Sequence, residues 1–402
     1  MGERTSSRPS VPTDELEGRP AALGRVLGEA GFDAWIAYGD DRAVAGPDHI
    51  RYLADLEPHF EPVLLAARAG DSQVVMLTGP ETVGYAAVVT MRAAVEEILA
   101  IEELVHPEEE YPTIPTSSGL ARLQGLFQGA RRIAVLGMGA VPFHVWQRLI
   151  SPLAEAGLEI ASGDDLAYGL RAVKTAAEQA VIDEAYRIAR TGLDAAVDAI
   201  RPGTTEREVA AAAEAAMRLA GAEGFGIDTM VASGLANTSP ILARSTFRTI
   251  DADDLVAVTL APRYEGYHAA LARPFLFRSN PEVELAIDAA RRSQHAALAH
   301  FAAGERGRDA AQALRQVLEE AGTGAELPYV PVHSIGVIEF EPPIFGSFSD
   351  VAFQEGMALS IDAALYHGAW GGLRVEDGFS IRPDGTVEPR FHDYEQMVPV
   401  ML

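Results

Sequence analysis

Carboxylates and imidazoles dominate the reactive groups of this sequence, which has 58 Asp and Glu and 10 His but no cysteine. Lys174 is the only lysine among 32 cations. The missing thiols exclude a disulfide scaffold, cysteine-ligated zinc or iron–sulfur sites, and a thiol nucleophile. One lysine argues against Schiff-base chemistry or a lysine phosphate loop elsewhere in the chain. An imidazole titrates near neutral pH, and a neighbouring carboxylate orients it and raises its pKa, so His with Asp or Glu reads as general acid/base chemistry. The same groups ligate hard cations. His295 and His300 lie in an alanine-rich helical stretch, and His144 sits beside Trp146 in an amphipathic one, so these three read as packing or surface residues. Gly137-Met-Gly139 follows a strand-like run but has Pro142 at the third glycine position, so it fails as a dinucleotide fingerprint.

The elements that must position such groups change character along the chain. Residues 1–20 are polar and rich in Pro and Ser, and read as a disordered leader without the apolar core of a signal peptide. Residues 21–168 alternate a helix ending at Gly31 with short apolar runs, Ala34–Ala37, Val63–Ala67, Val74–Leu77 and one from Ile133, as buried strands do. From 169 to 402 the texture is long alanine-rich helices and then strands, twice over. Thr175-x-x-Glu178 and Thr205-x-x-Glu208 are capping boxes, Asn280-Pro281 opens a third helix, Gly322 ends a fourth, and Asp384-Gly385 is a hairpin turn. The pattern predicts an α/β (α+β) protein in which a duplicated ααββ unit buries a curved sheet under four helices. The Glu-rich stretch Glu96–Glu110 reads as a solvated face. A net charge of −26 works against phosphate backbones, so no nucleic-acid partner is expected. Nor is a membrane partner, since no apolar run reaches 18 residues; a cytoplasmic location is expected.

Several short motifs stand in a fixed order: Lys174 with Glu178, Pro202-Gly203-x-Thr205-Glu206, Val231-Ala-Ser-Gly234, Arg263-Tyr-x-Gly-Tyr267, His333-x-Ile-Gly336, Glu341-Pro-Pro343, Glu355-Gly-Met357 and Arg374-x-Glu376-Asp377. Together they resemble the creatinase, prolidase and methionine aminopeptidase family. The likeness runs over about residues 21–390 and includes a creatinase-type N-terminal domain around His49-Ile-Arg-Tyr-Leu53. It implies a pita-bread fold for the second half, and a homodimer in which the partner's N-terminal domain overhangs the active site. From that domain, His59 and Phe60 are implied as substrate contacts.

The family's peptidases hold two divalent ions with Asp, Asp, His, Glu and Glu. Two ions carry four positive charges and need bridging carboxylates to turn a shared water into hydroxide. Matched by position, Thr259 and Ala270 stand where the two aspartates belong. His333 matches the histidine and Glu376 the second glutamate, while Asp362 replaces the first glutamate and retreats by one C–C bond, about 1.5 Å. Phe340 stands where peptidases place a second histidine. Creatinase is the family's metal-free precedent, but its glutamate two places beyond the second metal position is Ala272 here, which disfavours creatine as substrate.

Because strand side chains alternate, His268, Ala270 and Ala272 are expected on the side the family uses for chemistry. The resemblance therefore implies His268, His333, Asp362 and Glu376 as the catalytic set, Tyr267, Arg273, Glu341 and Arg374 as further substrate contacts, and Thr259 and Ala270 as degenerate metal positions. No cofactor is expected. The leading expectation is metal-independent acid/base chemistry on a small molecule, most simply hydrolysis of an amide, lactam or amidine-like C–N bond. Its alternatives are a lyase, cyclase or isomerase of a specialised biosynthetic pathway, a non-catalytic binding protein, and a mononuclear metal-dependent Xaa-Pro peptidase.

Overall fold

The computed structural model describes residues 8–42, 46–106, 109–382, 384–390 and 400–401. The chain divides between Arg171 and Ala172 into two compact units. The first is built on β1 (Ala34–Gly39), β2 (Val63–Arg68), β3 (Val74–Thr78), β4 (Val95–Ala100), β5 (Arg132–Leu136) and β6 (Glu159–Ser162). They form one sheet in the order β4-β3-β2-β1-β5-β6. Buried β1 runs antiparallel to β2 and parallel to β5. Strands buried on both faces read as continuous apolar runs, which is why these segments showed no alternation.

The expected leader is corrected in its second half, since a helix already spans Thr13–Glu29. Pro20 lies inside this helix, with Leu16, Leu23 and Leu27 also buried. Asp14 and Glu15 favour the helix start through the dipole. Residues 1–7 fall outside the described part. The glycine turn after β5 has a structural use: Gly137 adopts φ +70° and gives its N–H to Asp164 at 2.6 Å, so the donor a phosphate would need is already taken.

The second unit pairs helices Ala176–Ala199 with Glu206–Ala220 and Pro281–Leu298 with Gly307–Glu320. Both capping boxes form, and Asn280 caps the third helix through Val283 N–H. A small sheet of β7 (Gly224–Phe225), β10 (Pro262–Tyr264) and β11 (Tyr267–His268) stands apart from the large one. The large sheet contains β8 (Met230–Ser233), β9 (Leu255–Leu260), β12 (Leu271–Leu276), β13 (Val332–Ser334), β14 (Glu341–Ile344), β15 (Ala358–Gly368), β16 (Gly371–Ile381), β17 (Val387–Pro389) and β18 (Val400–Met401). Its order is β14-β13-β15-β16-β12-β9-β8, with β17 on β16 and β18 on β12.

Alternation on β15 and β16 separates a core face from a site face. Ile361, Ala363, Leu365, Leu373 and Val375 join the apolar core with Phe301, Phe345, Phe353 and Phe379, each worth about 1.5–3 kcal/mol on burial. Asp362, Arg374 and Glu376 fall on the other face. Register then draws one row across four strands: Thr259 opposite Ala272, Ala272 opposite Glu376, and Glu376 opposite Asp362. Gly378 keeps β16 close to the helix Ala176–Ala199, because a Cβ there would lie 2.1 Å from the Tyr186 hydroxyl. Among the described residues no helix is long and apolar enough to cross a membrane.

Candidate functional site

His333 is fully buried on β13, and its Nδ1 lies 2.8 Å from the Ser334 carbonyl oxygen. That acceptor fixes the proton on Nδ1, which leaves the Nε2 lone pair on the side of Glu376. Nε2 is 3.6 Å from Glu376 Oε1 and has no hydrogen-bond partner. Phe340 packs on the ring with centroids 4.2 Å apart. Glu376 takes the Ser360 hydroxyl on Oε1 at 3.0 Å, while its buried Oε2 accepts no hydrogen bond.

Arg374, two residues before Glu376 on β16 and opposite Ala364 on β15, reaches both acids of the row. Its Nε is 3.4 Å from Asp362 Oδ1 and its Nη1 3.8 Å from Glu376 Oε2. Its Nη2 donates to the Tyr329 hydroxyl at 2.7 Å, and that hydroxyl donates to Asp362 Oδ2 at 2.6 Å. Tyr366 lies under the guanidinium as well.

The electrostatics follow from this packing. Burial alone lowers the His333 pKa, but Glu376 and the charge of Glu339 outweigh it and hold the imidazole above its ordinary value. Burial raises Glu376, yet His333 and Arg374 bring it below the usual glutamate range. For Asp362 burial wins over Arg374, and the carboxyl is raised to about 6, in the range where a carboxyl can act as general acid or base near neutral pH.

His333, Asp362, Glu376 and Arg374 are thus brought together, and the structure adds Glu339, Tyr329 and Tyr366. Glu339 is 7% exposed on the turn after β13, and burial with Glu376 nearby raises its carboxyl to about 7. Sequence reasoning passed over it, although an acid inside the apolar run Ile335, Val337, Ile338, Phe340 was a signal.

Other expected site residues serve the scaffold. His268 sits on β11 and directs Nδ1 to the Gly336 carbonyl at 3.2 Å. Burial and Arg263 drive its pKa down to about 3, so it stays neutral and the expectation that it shuttles protons near pH 7 is corrected. Arg273 is fully buried and donates to Asp377 at 2.5 Å and to the carbonyls of Glu376 and Ala272 at 3.0 and 2.8 Å, which binds β12 to β16 instead of a substrate carboxylate. Tyr267 donates to Glu178 of the first capping box at 2.6 Å, and Glu341 pairs with Lys174 at 3.1 Å, both pairs buried. Buried partners of this kind leave neither side chain available for a ligand. In the first unit Phe60 has φ +67° and is 61% exposed beside His59, bordering a cavity of about 430 Å³ with His106, His144 and Arg148.

Residues 180–383, half of the chain, match the family described as Metallopeptidase family M24, and the chain belongs to that family. It is 32% identical over 228 residues to a protein named Xaa-Pro dipeptidase from Pyrococcus furiosus, covering 56% of this chain and 64% of the relative. It is 28% identical over 235 residues to the putative dipeptidase YkvY of Bacillus subtilis, with 58% and 64% covered. The chain thus spans just under two thirds of these relatives' length. Among solved structures, prolidase from Thermococcus sibiricus superposes with a TM-score of 0.80 at 17% identity, over 94% of this chain and 96% of that one. X-Pro aminopeptidase from Thermotoga maritima gives 0.77 at 21%, over 95% and 98%. The architecture is therefore the one the resemblance implied, an N-terminal α/β domain followed by a pita-bread domain.

Whether the family's metal suits this site is decided by its donors. Two ions do not fit, because the Thr259 hydroxyl and the Ala270 methyl supply no bridging carboxylate and Arg374 already places a fixed cation among the acids. One ion does fit: His333 Nε2, Glu376 Oε2 and Asp362 Oδ1 are buried acceptors with no hydrogen-bond partner, and a cation can satisfy such atoms.

Proposed function

We propose that this chain is a hydrolase that cleaves an amide-type C–N bond in a small substrate, using one divalent ion in place of two. The buried acceptors without a hydrogen-bond partner, His333 Nε2, Glu376 Oε2 and Asp362 Oδ1, carry this reading. The relatives' names make Xaa-Pro dipeptides the first substrates to test. A bound divalent ion supplies Lewis-acid polarisation of a carbonyl and lowers the pKa of a water. The chain's own groups do the rest. Ser334 fixes the His333 tautomer, Ser360 holds Glu376 in place, and Tyr329 and Arg374 orient Asp362 as a proton carrier for the leaving nitrogen. The Arg374 guanidinium stabilises negative charge that develops among these buried groups.

A second reading, the metal-independent acid/base enzyme, is favoured by that same guanidinium, which supplies one positive charge without any ion. In either case the working form is proposed to be a homodimer in which the partner's first domain supplies a substrate-contacting loop; the exposed, left-handed Phe60 of that loop supports this.

Metal-stripped protein assayed on Xaa-Pro dipeptides and simple amides, with Mn²⁺ added back, separates the readings. Activity lost on stripping and restored at one equivalent supports the one-ion hydrolase. Full turnover by metal-free protein moves the assignment to acid/base chemistry, and a requirement for two equivalents refutes both.

A further inference from the structure

A one-ion site needs a third protein ligand, and two acids stand close enough to compete for the role. Asp362 is the residue that family correspondence selects. Its Oδ2 accepts the Tyr329 hydroxyl at 2.6 Å, and its Oδ1, which accepts no hydrogen bond, lies 3.4 Å from Arg374 Nε in an ion pair. The guanidinium stands nearer Asp362 Oδ1, at 3.4 Å, than Glu376 Oε2, at 3.8 Å, and Tyr329 bonds to both Arg374 and Asp362, so a cation drawn to Asp362 meets the stronger like-charge repulsion, which grows where water is excluded. Arg374 is held there by Tyr329 as well, so it does not simply swing away.

Glu339, unlike Asp362, makes no ion pair with Arg374. It rides on the turn between β13 and β14, flanked by Ile338 and Phe340, and Phe340 packs on the His333 ring. The turn is pinned by backbone bonds from Gly336 N–H to the Ile338 carbonyl at 3.1 Å and from His268 N–H to the Gly336 carbonyl at 2.9 Å. One ligand atom each from His333, Glu339 and Glu376 lie within 4.8 Å of one another, all three residues buried. Ligands sit about 2.0–2.6 Å from such ions, so atoms sharing one ion stand no more than about 5 Å apart. The trio meets that limit. His333 also shows the arrangement of a metal-binding imidazole, its second nitrogen tied to a backbone carbonyl.

We infer that this chain binds a single divalent cation on His333 Nε2, Glu339 and Glu376, with Glu339 replacing the missing aspartates while Asp362 remains paired to Arg374 and Tyr329. The inference rests on the one-ion reading above and names the ligand set that reading leaves open. It also assigns His268 a purpose, since its two bonds to Gly336 hold the turn that presents Glu339.

The test is Mn²⁺ alone, titrated into metal-stripped full-length protein and followed by calorimetry and by the electron paramagnetic resonance of the bound ion. Wild type is expected to take up one equivalent. E339Q is expected to bind at least tenfold more weakly and D362N within threefold of wild type. E339D, which keeps the charge and the fold but shortens the reach, is expected to weaken binding by at least tenfold as well. Binding lost in D362N but kept in E339Q or E339D overturns the ligand assignment and leaves the one-ion reading standing. Wild-type protein that takes up no Mn²⁺, or two equivalents, overturns both.

Discussion

Arg374 Nε stands 3.4 Å from Asp362 Oδ1 in an interior that water does not reach, so each charge depends on the other. Removing one partner of such a pair strands the second, at a cost of about 3–5 kcal/mol. R374M is therefore expected to lower stability in urea unfolding by about that amount. The double variant R374M/D362N should cost less than the sum of the single ones, with a coupling of about 0.5–3 kcal/mol, as residues in contact show. Additive losses would mean that the pair does not interact.

Arg273 was expected to grip substrate, and its burial against Asp377 gives a different forecast. Asp377 also accepts from Gln294 at 3.2 Å, so the ion pair ties β12, β16 and the helix Pro281–Leu298 together. R273M should destabilise the fold by about 3–5 kcal/mol. KM for any substrate turned over should stay within about twofold for the protein that remains folded, a free-energy change under about 0.5 kcal/mol. A raised KM with unchanged unfolding would restore the substrate role.

The architecture was legible because its signals are local. Capping boxes at Thr175 and Thr205, the Asn280 cap and the switch from short apolar runs to alanine-rich helices each specify an element within a few residues. His333, Asp362, Glu376 and Arg374 were legible as a set because ordered motifs mark the strands that carry them. What sequence could not supply was partnership. Arg273 and Arg374 are the same residue type on adjacent strands, yet the register of β12 against β16 brings one to Asp377 and that of β15 against β16 brings the other to Asp362. His268 was placed by alternation with Ala270 and Ala272, but it belongs to a separate three-stranded sheet, which alternation alone does not reveal. Glu339 lies on a turn, where no periodicity tells which side a residue faces.

Glu206 gives a pH forecast away from the site. Its Oε1 accepts the Ser233 N–H and hydroxyl, both at 2.7 Å, and its Oε2 accepts the Thr246 N–H at 2.9 Å and the Thr246 hydroxyl at 2.6 Å. Burial works to raise its pKa, but these donors, with Asn237, hold it below the usual glutamate value. A folded-state pKa below the unfolded one contributes stability that is present above the unfolded value and lost as pH falls through the folded value. Glutamine cannot replace this carboxylate, because each oxygen faces a backbone N–H and the amide nitrogen would point a donor at a donor. E206Q is expected to cost about 1–3 kcal/mol at pH 7. The gap between wild type and variant should then narrow below about pH 4, where an ordinary glutamate protonates. Thermal unfolding of both proteins from pH 7 to pH 3 measures it. A gap that stays constant to pH 3 would show that the contribution of Glu206 does not come from its charge.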